Sequence, residues 1–489
     1  MTNKAILAID QGTTGSKALL LSTQGKVLGA HTIEFTQYFP KNDFVEHNPD
    51  EIWASVNDAI KAVIEKTNFP AKDIECIGIT NQRETTVIWD KQTKKMLHNA
   101  IVWQCKRTTK ICQDLKKEGF EKPFQEKTGL LLDPYFSGTK MRWLLDHLSL
   151  QNNKNIALGT IDTFLLFKMT DGISLVTEPS NASRTLLCNL LGNWDKELLN
   201  ILNIPIDMLP EIKNSNSIFG VTKGMKILPD GIPITGILGD QQAALMGQTC
   251  FSKNEVKCTY GTGCFLMMNI GETPKISQKG LLTTIAWQLD QKITYAFEGS
   301  AFIAGAAIQW LRDGLGIIKN SNEIEALANS VPSSEDVCFV PALAGLGSPY
   351  WQPQAKGIIS GITRATNKAH IARAALEGIA LQNYDILKTM TDENQNEIKT
   401  LFVDGGASKN NLMMQIQADL LNCTIHRPKD LDTTAIGAAY LAGLTHGIFK
   451  TLDELKLIKQ IDQIFQPNLN SKATNFLINK WQKNIPKTM

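Results

Sequence analysis

Short apolar runs separated by Gly- and Thr-rich breaks open this chain, and longer periodic stretches follow them. Residues 5–9 (Ala-Ile-Leu-Ala-Ile) are uninterruptedly apolar. Asp10-Gln11-Gly12-Thr13-Thr14-Gly15-Ser16 breaks the run, and a second apolar run covers 18–21. Gln24-Gly25 makes a further turn before the strand-like stretch 26–35. This pattern predicts consecutive antiparallel strands joined by tight turns. An amphipathic helix is expected from Asp50 to about Lys66, with Pro49 near its start, where its missing N–H would be unpaired anyway. Asp73–Thr80 reads as a buried strand.

The same order returns near the middle of the chain. Residues 255–260 read as a strand, Gly261-Thr262-Gly263 as a turn and 264–270 as a second strand. Helices are expected at 301–314 and 367–390. A strand at 400–403 ends in Asp404-Gly405-Gly406, and a further helix begins near Asn410. A strand–turn–strand unit in each half predicts two related α/β domains with a cleft between them. The boundary falls near Gly247, giving residues 1–247 and 248–489. Residues 466–489 are polar and punctuated by Pro, so a loosely attached tail is expected there.

Composition adds exclusions. At 489 residues the chain is too long for one ordinary core. Fifty basic residues against 48 acidic ones leave a net charge of +2, which gives no field to attract nucleic acid or an anionic membrane. No run approaches the roughly 18 apolar residues of a spanning helix, so membrane insertion is not expected. The first apolar run stops at Asp10, too short for a signal peptide. Nine scattered cysteines without a C-x-x-C argue against disulfides and zinc and for a reducing cytoplasm.

Four segments could carry chemistry. In Asp10–Lys17 the glycines let backbone approach a ligand, turn N–H groups and hydroxyls can point at phosphate oxygens, and Asp10 suits Mg²⁺ through water. Taken alone, the segment is equally a plain hairpin turn. Asp240 in Gly239-Asp240-Gln241-Gln242 is either a helix-capping carboxylate or a general base for a hydroxyl proton. Tyr260-Gly261-Thr262-Gly263 repeats the Gly/Thr turn, and Asp404-Gly405-Gly406 could lie flat against an adenosine. The order of all four is far more specific than any one of them.

With these motifs in place, the chain resembles the FGGY carbohydrate kinases. The resemblance rests on Tyr135–His147 and on Gly357–Ile362 followed by His370–Glu377, and it extends from Ala5 to about Gly447. It implies a ribonuclease-H-like, actin-type fold in each domain, with ATP and substrate meeting in the cleft. Gly78–Thr86, Asn99–Cys105, Asp133–Thr139 and Gly239–Leu245 are similar to the glycerol-phosphorylating members. By that resemblance Arg83, Glu84, Tyr135, Asp240 and Gln241 bind glycerol hydroxyls, and Trp103 and Phe265 flank its carbons. Asp240 is the catalytic base. Nucleotide contacts carry over to Thr13, Thr14, Thr262, Gly305, Gln309, Gly406 and Asn410, and Gly15 and Lys17 stand where members often have Ser and Arg. ATP/ADP and Mg²⁺ are the implied cofactors, and a homodimer or homotetramer the implied assembly.

Gly224–Ile234 lacks the arginine and histidine through which some members are regulated, so neither route of control is expected. Two rival readings stay open at this point. One is a family kinase for another small polyol or ketose; the other is a non-catalytic, actin-like nucleotide switch.

Overall fold

The computed structural model describes residues 4–489. The expected strand–turn–strand units form the centres of two large sheets. The first contains β1 (Ala5–Gln11), β2 (Gly15–Ser22), β3 (Val27–Glu34), β4 (Ile74–Asn81), β5 (Gly220–Val221) and β6 (Pro233–Gly239). The second contains β7 (Val256–Tyr260), β8 (Cys264–Gly271), β9 (Leu282–Leu289), β10 (Lys292–Ala301), β11 (Thr400–Asp404), β12 (Thr424–Pro428) and β13 (Ile461–Phe465).

The sheets repeat one topology. In space the first runs β3-β2-β1-β4-β6-β5 and the second β10-β8-β7-β11-β12-β13, with β9 added beyond β10. In each, three antiparallel strands are followed by two parallel ones and a closing antiparallel strand. The two hairpins are also in matching register: Asp10 faces Lys17 on β2 and Thr80 on β4, while Thr259 faces Phe265 on β8 and Asp404 on β11. The first lobe thus places a carboxylate where the second places a hydroxyl.

Each lobe has its own core, as the length requires. A third core lies in the long excursion between β4 and β5, around Phe124, Phe136, Leu144 and Leu198, and this excursion carries Trp103 and Tyr135. The helices include α1 (Pro49–Thr67), α2 (Asp240–Gly247), α3 (Gly305–Asp313), α4 (Lys368–Asn394), α5 (Asn411–Leu421), α6 (Thr433–His446) and α7 (Ser471–Asn484), and the lobes join through α2 and α6. Contact is backbone to backbone: a Cβ on Gly437 would sit 1.8 Å from the Ala243 carbonyl, and one on Gly78 of β4 would sit 2.2 Å from that of Ala438. α6 therefore returns from late in the chain to pack on the first sheet.

Two expectations are corrected. Residues 301–304 do not begin a helix; Ala301 ends β10, and α3 starts at Gly305, whose N–H donates to the Gly261 carbonyl over 3.0 Å. The C-terminal stretch is not a loose tail. α7 buries Trp481 completely, and its indole N–H donates to Asp385 over 2.6 Å. Lys480 donates to Ser334 Oγ at 2.7 Å and to the Val337 carbonyl at 3.0 Å. One large aromatic with a satisfied N–H outweighs the polar residues around it.

Candidate active site

Arg83 and Glu84 occupy the tight turn that follows β4. Glu84 is left-handed, with φ 59°, a costly conformation for a residue with a side chain. It is held from both sides: Ser137 Oγ donates to its carbonyl over 2.9 Å, and Arg184 Nε donates to its carboxylate over 2.6 Å. The Arg83 guanidinium forks onto Glu298, with Nη1 to Oε2 at 2.6 Å and Nη2 to Oε1 at 2.8 Å. Its Nε lies 3.0 Å from Asp240 Oδ1. Arg184 also reaches Glu298, at 3.2 Å.

These four buried residues are two cations and two anions, so the network is neutral. Burial drives the Glu298 carboxyl upward, but Arg184 and Arg83 outweigh it and hold the group at about 2. For Glu84 burial wins, and its pKa is raised despite Arg83 and Arg184.

Trp103, Tyr135 and Phe265 stand edge to face beside this network. The Trp103 ring centroid lies 5.5 Å from that of Tyr135 and 6.4 Å from that of Phe265. Phe265 comes from β8, so this wall is shared between the lobes. The Trp103 indole N–H donates to Thr13 Oγ1 over 2.9 Å and ties the wall to the first Gly/Thr turn.

Asp240 opens α2, and its Oδ1 accepts from the Gln241 N–H at 2.7 Å. Gly239 precedes it for a steric reason. A Cβ there would lie 2.7 Å from Cγ and Cδ of Arg83, so glycine lets the arginine cross. Gln241 accepts from the buried Lys257 ammonium, which also donates to Thr259 Oγ1 at 2.9 Å. With its carbonyl so engaged, the Gln241 amide nitrogen is left to donate.

The first Gly/Thr turn closes through Gly12 N–H to the Gly15 carbonyl at 2.9 Å. Gln37 and Gln82 support it, donating to the Thr13 and Gly12 carbonyls at 3.1 and 3.2 Å. Thr14 is exposed at the tip. Gly15 has a packing reason of its own, since a Cβ would meet the Ile33 carbonyl at 2.8 Å. In the second turn Thr262 is exposed, and its carbonyl accepts from Ala304 and Ala306 N–H at 2.8 and 3.1 Å, docking the start of α3. Gly406 is exposed, and the space where its Cβ would stand is open. Gln309 is exposed on α3. Asn410 has a structural task, its Oδ1 capping α5 through Met413 N–H at 2.8 Å.

Asp10, Lys17, Thr259 and Asp404-Gly405-Gly406 line a cavity of about 500 Å³ together with Lys409 and Asp432. Lys17 pairs with Asp432 across it. Burial above all, with Asp240 and Asp432 adding to it and Lys17 opposing, pushes Asp10 up to about 7. The crowding fits a site for a divalent cation, which would relieve it. No three His, Cys, Asp or Glu side chains among the described residues could hold a metal between them.

The sign of the linkage gives a test. An acid raised from 3.8 to about 7 penalises the folded state increasingly as pH rises through that window. Asp10→Asn is expected to melt higher than wild type at pH 8 and level with it at pH 4, while turning over more slowly. Thermal unfolding at the two pH values, beside an activity assay, checks this.

The structure brings together the acceptor residues expected from the sequence, and it adds Arg184, Glu298 and Lys257. Lys257 and Glu298 are lone charges inside apolar strands, Val-Lys-Cys and Phe-Glu-Gly. Such charges need a buried partner, and that was the available signal. Arg184 stands in a turn and left none.

Two lobes of one repeated topology, facing Gly/Thr turns and a carboxylate at the head of a linking helix define an actin-like phosphotransferase fold. Family models agree: the N-terminal domain of the FGGY family of carbohydrate kinases matches residues 5–247, and its C-terminal domain matches 256–446. The chain belongs to the FGGY family of carbohydrate kinases. It is 51% identical over 482 residues to a glycerol kinase of Bdellovibrio bacteriovorus, covering 97% of each chain. A glycerol kinase of Listeria monocytogenes is 48% identical over 490 residues, covering 99% of each. Among solved structures, the Plasmodium falciparum glycerol kinase with ADP superposes with a TM-score of 0.92 at 35% identity, over 100% of this chain and 98% of that one.

Proposed function

We propose that this protein transfers the terminal phosphoryl group of ATP to a primary hydroxyl of glycerol, giving sn-glycerol 3-phosphate and ADP. The observation that carries this reading is the acceptor pocket: a buried, charge-neutral Arg83–Glu84–Arg184–Glu298 network behind three aromatic edges, with Asp240 at its partly exposed mouth. A triol has three hydroxyls to satisfy and a short hydrocarbon face. Polar groups left unpaired in a dry site are costly, so a site built this way favours a molecule that fills every position.

Arg83, Glu84, Tyr135 and Gln241 hold the hydroxyls, and Trp103 and Phe265 cover the carbons. Asp240 accepts the proton of the attacking hydroxyl as the bond to phosphorus forms. Thr13, Thr14 and Thr262 offer hydroxyls and turn N–H groups to the phosphates, with Lys17 adding charge once it shares Asp432. Gly305, Gly406, Gln309 and the Asn410 amide nitrogen border the nucleoside. Asp10 would hold Mg²⁺, which when bound would supply positive charge to offset that on the transferred phosphoryl group. Residues 1–247 supply the acceptor and metal side, with Phe265 added from the other half, and residues 248–489 the adenine nucleotide side.

The test is the product. ATP and glycerol should give a phosphomonoester on a terminal carbon by ³¹P NMR, oxidised completely by a dehydrogenase specific for the sn-3 isomer. A racemic or secondary phosphate would contradict the reading.

A further inference from the structure

We propose that Glu298 is a positioning residue for this reaction. From the second lobe's sheet it locks the Arg83 guanidinium and, through it, sets the Asp240 carboxylate. The inference rests on the acceptor reading above and extends it to a residue that need not touch glycerol.

The argument begins with what Arg83 could do without Glu298. Its side chain crosses the bare backbone of Gly239, which offers no side wall to restrain it. Its contacts to Glu84 and Asp240 run through Nε, at 4.0 and 3.0 Å. Neither fixes the planar end of the group. The two parallel bonds to Glu298, at 2.6 and 2.8 Å, do fix it, because a fork on a carboxylate sets both position and plane. Gln242 Oε1 adds a weaker hold at 3.3 Å, and the Gln242 amide is itself anchored on the Ile285 carbonyl of β9 at 3.1 Å.

The first restraint therefore comes from the β9–β10 hairpin, and the second, from α2, is anchored on that hairpin. That hairpin is docked on the first lobe at several points. Tyr295 hydroxyl donates to the Leu190 carbonyl at 2.7 Å. Thr283 N–H donates to Gly129 at 3.0 Å, and Ser215 N–H donates to Gln288 at 2.9 Å. A chain of contacts thus runs from a braced hairpin through the Glu298 fork to Arg83, whose Nε stands 3.0 Å from Asp240 Oδ1 as an ion pair without hydrogen-bond geometry. It has the logic of a base oriented by a second group, itself oriented by a third. Charge balance alone would need only a carboxylate nearby; positioning needs the carboxylate at this reach.

That difference decides the test. Glu298→Gln removes the charge and the fork. Glu298→Asp keeps the charge but is one methylene too short for the fork. Glycerol KM and kcat, ADP affinity and thermal unfolding are measured for wild type and both variants. We expect Glu298→Gln to raise glycerol KM roughly 10- to 100-fold, the scale of a lost charge-assisted hydrogen bond, and to lower kcat. ADP affinity should stay within about twofold, because the Glu298 carboxylate bonds Arg83 and Arg184, neither of which is assigned to the nucleotide. Glu298→Asp should unfold close to wild type yet keep the raised KM and lowered kcat, and it decides the matter alone if the Gln variant does not fold.

A Glu298→Asp enzyme with wild-type KM and kcat would reduce Glu298 to charge balance and overturn the inference. Unchanged kinetics in Glu298→Gln would overturn it as well. Wild-type enzyme without glycerol turnover would instead overturn the acceptor reading, and this inference with it.

Discussion

Asp240→Asn should turn over glycerol about two to four orders of magnitude more slowly than wild type, the range for losing a positioned acid or base. A carboxylate can take the proton of the attacking hydroxyl; an amide of the same size cannot. The fold should survive, since Asp240 is part-exposed and its bond to the Gln241 N–H can be kept by the amide oxygen. Nucleotide affinity should survive too, because the proposed phosphate contacts lie on other turns. Steady-state ADP formation with both substrates saturating isolates the chemical step from weakened glycerol binding. A nucleotide titration of the same variant completes the test. Near-wild-type turnover would remove Asp240 as the base. Lost nucleotide binding would give it a role in assembling the cleft.

Arg83→Met should be the most destabilising substitution in the acceptor site. The arginine is 2% exposed and serves Glu298 and Asp240 together. Removing one partner of a buried pair leaves an uncompensated charge and costs about 3–5 kcal/mol, most of it desolvation of the group left behind. Urea unfolding measures it. The pH dependence has a definite sign. Glu298, held at about 2 against an ordinary 4.5, contributes stability that is complete above 4.5 and lost as pH falls toward 2. The gap between wild type and Arg83→Met should accordingly be full at pH 7 and narrow steadily below pH 4.5. A constant gap across that range would mean that the cost is packing alone.

Much of this arrangement was legible in the sequence because local chemistry wrote it there. Apolar runs broken by Gly and Thr marked both hairpins, and Asp10-Gln11-Gly12-Thr13-Thr14 and Tyr260-Gly261-Thr262-Gly263 marked their turns. Arg83-Glu84, Trp103, Tyr135, Asp240-Gln241 and Phe265 stood in recognisable segments. Their gathering into one pocket is a property of the fold, since they come from the β4 turn, the excursion that follows it, α2 and β8.

What was not legible depended on distant partners. Arg184 is an ordinary residue in its own neighbourhood, and Glu298, a lone charge in an apolar strand, signals a buried partner without naming it; both acquire meaning only when the β9–β10 hairpin meets the first lobe. α6 is a small-residue helix late in the chain, and only the fit of Gly437 against Ala243 and of Ala438 against Gly78 shows that it braces the first lobe. The C-terminal stretch was misread for a related reason: its polar surface is conspicuous in sequence, whereas the single buried Trp481 that anchors it is not.

On the proposed reading, the network assigned to the acceptor also limits its size. The Trp103, Tyr135 and Phe265 edges stand together beside that network, so a five-carbon ketose is expected to fit less well than a three-carbon polyol. Dihydroxyacetone or glyceraldehyde fits in length but replaces one hydroxyl by a carbonyl, which cannot donate. The most direct measurement is kcat/KM for ADP release with glycerol, dihydroxyacetone, xylulose and no acceptor, under one set of conditions. The account expects glycerol highest, dihydroxyacetone weaker and xylulose near the rate without acceptor. Xylulose preferred over glycerol would contradict it.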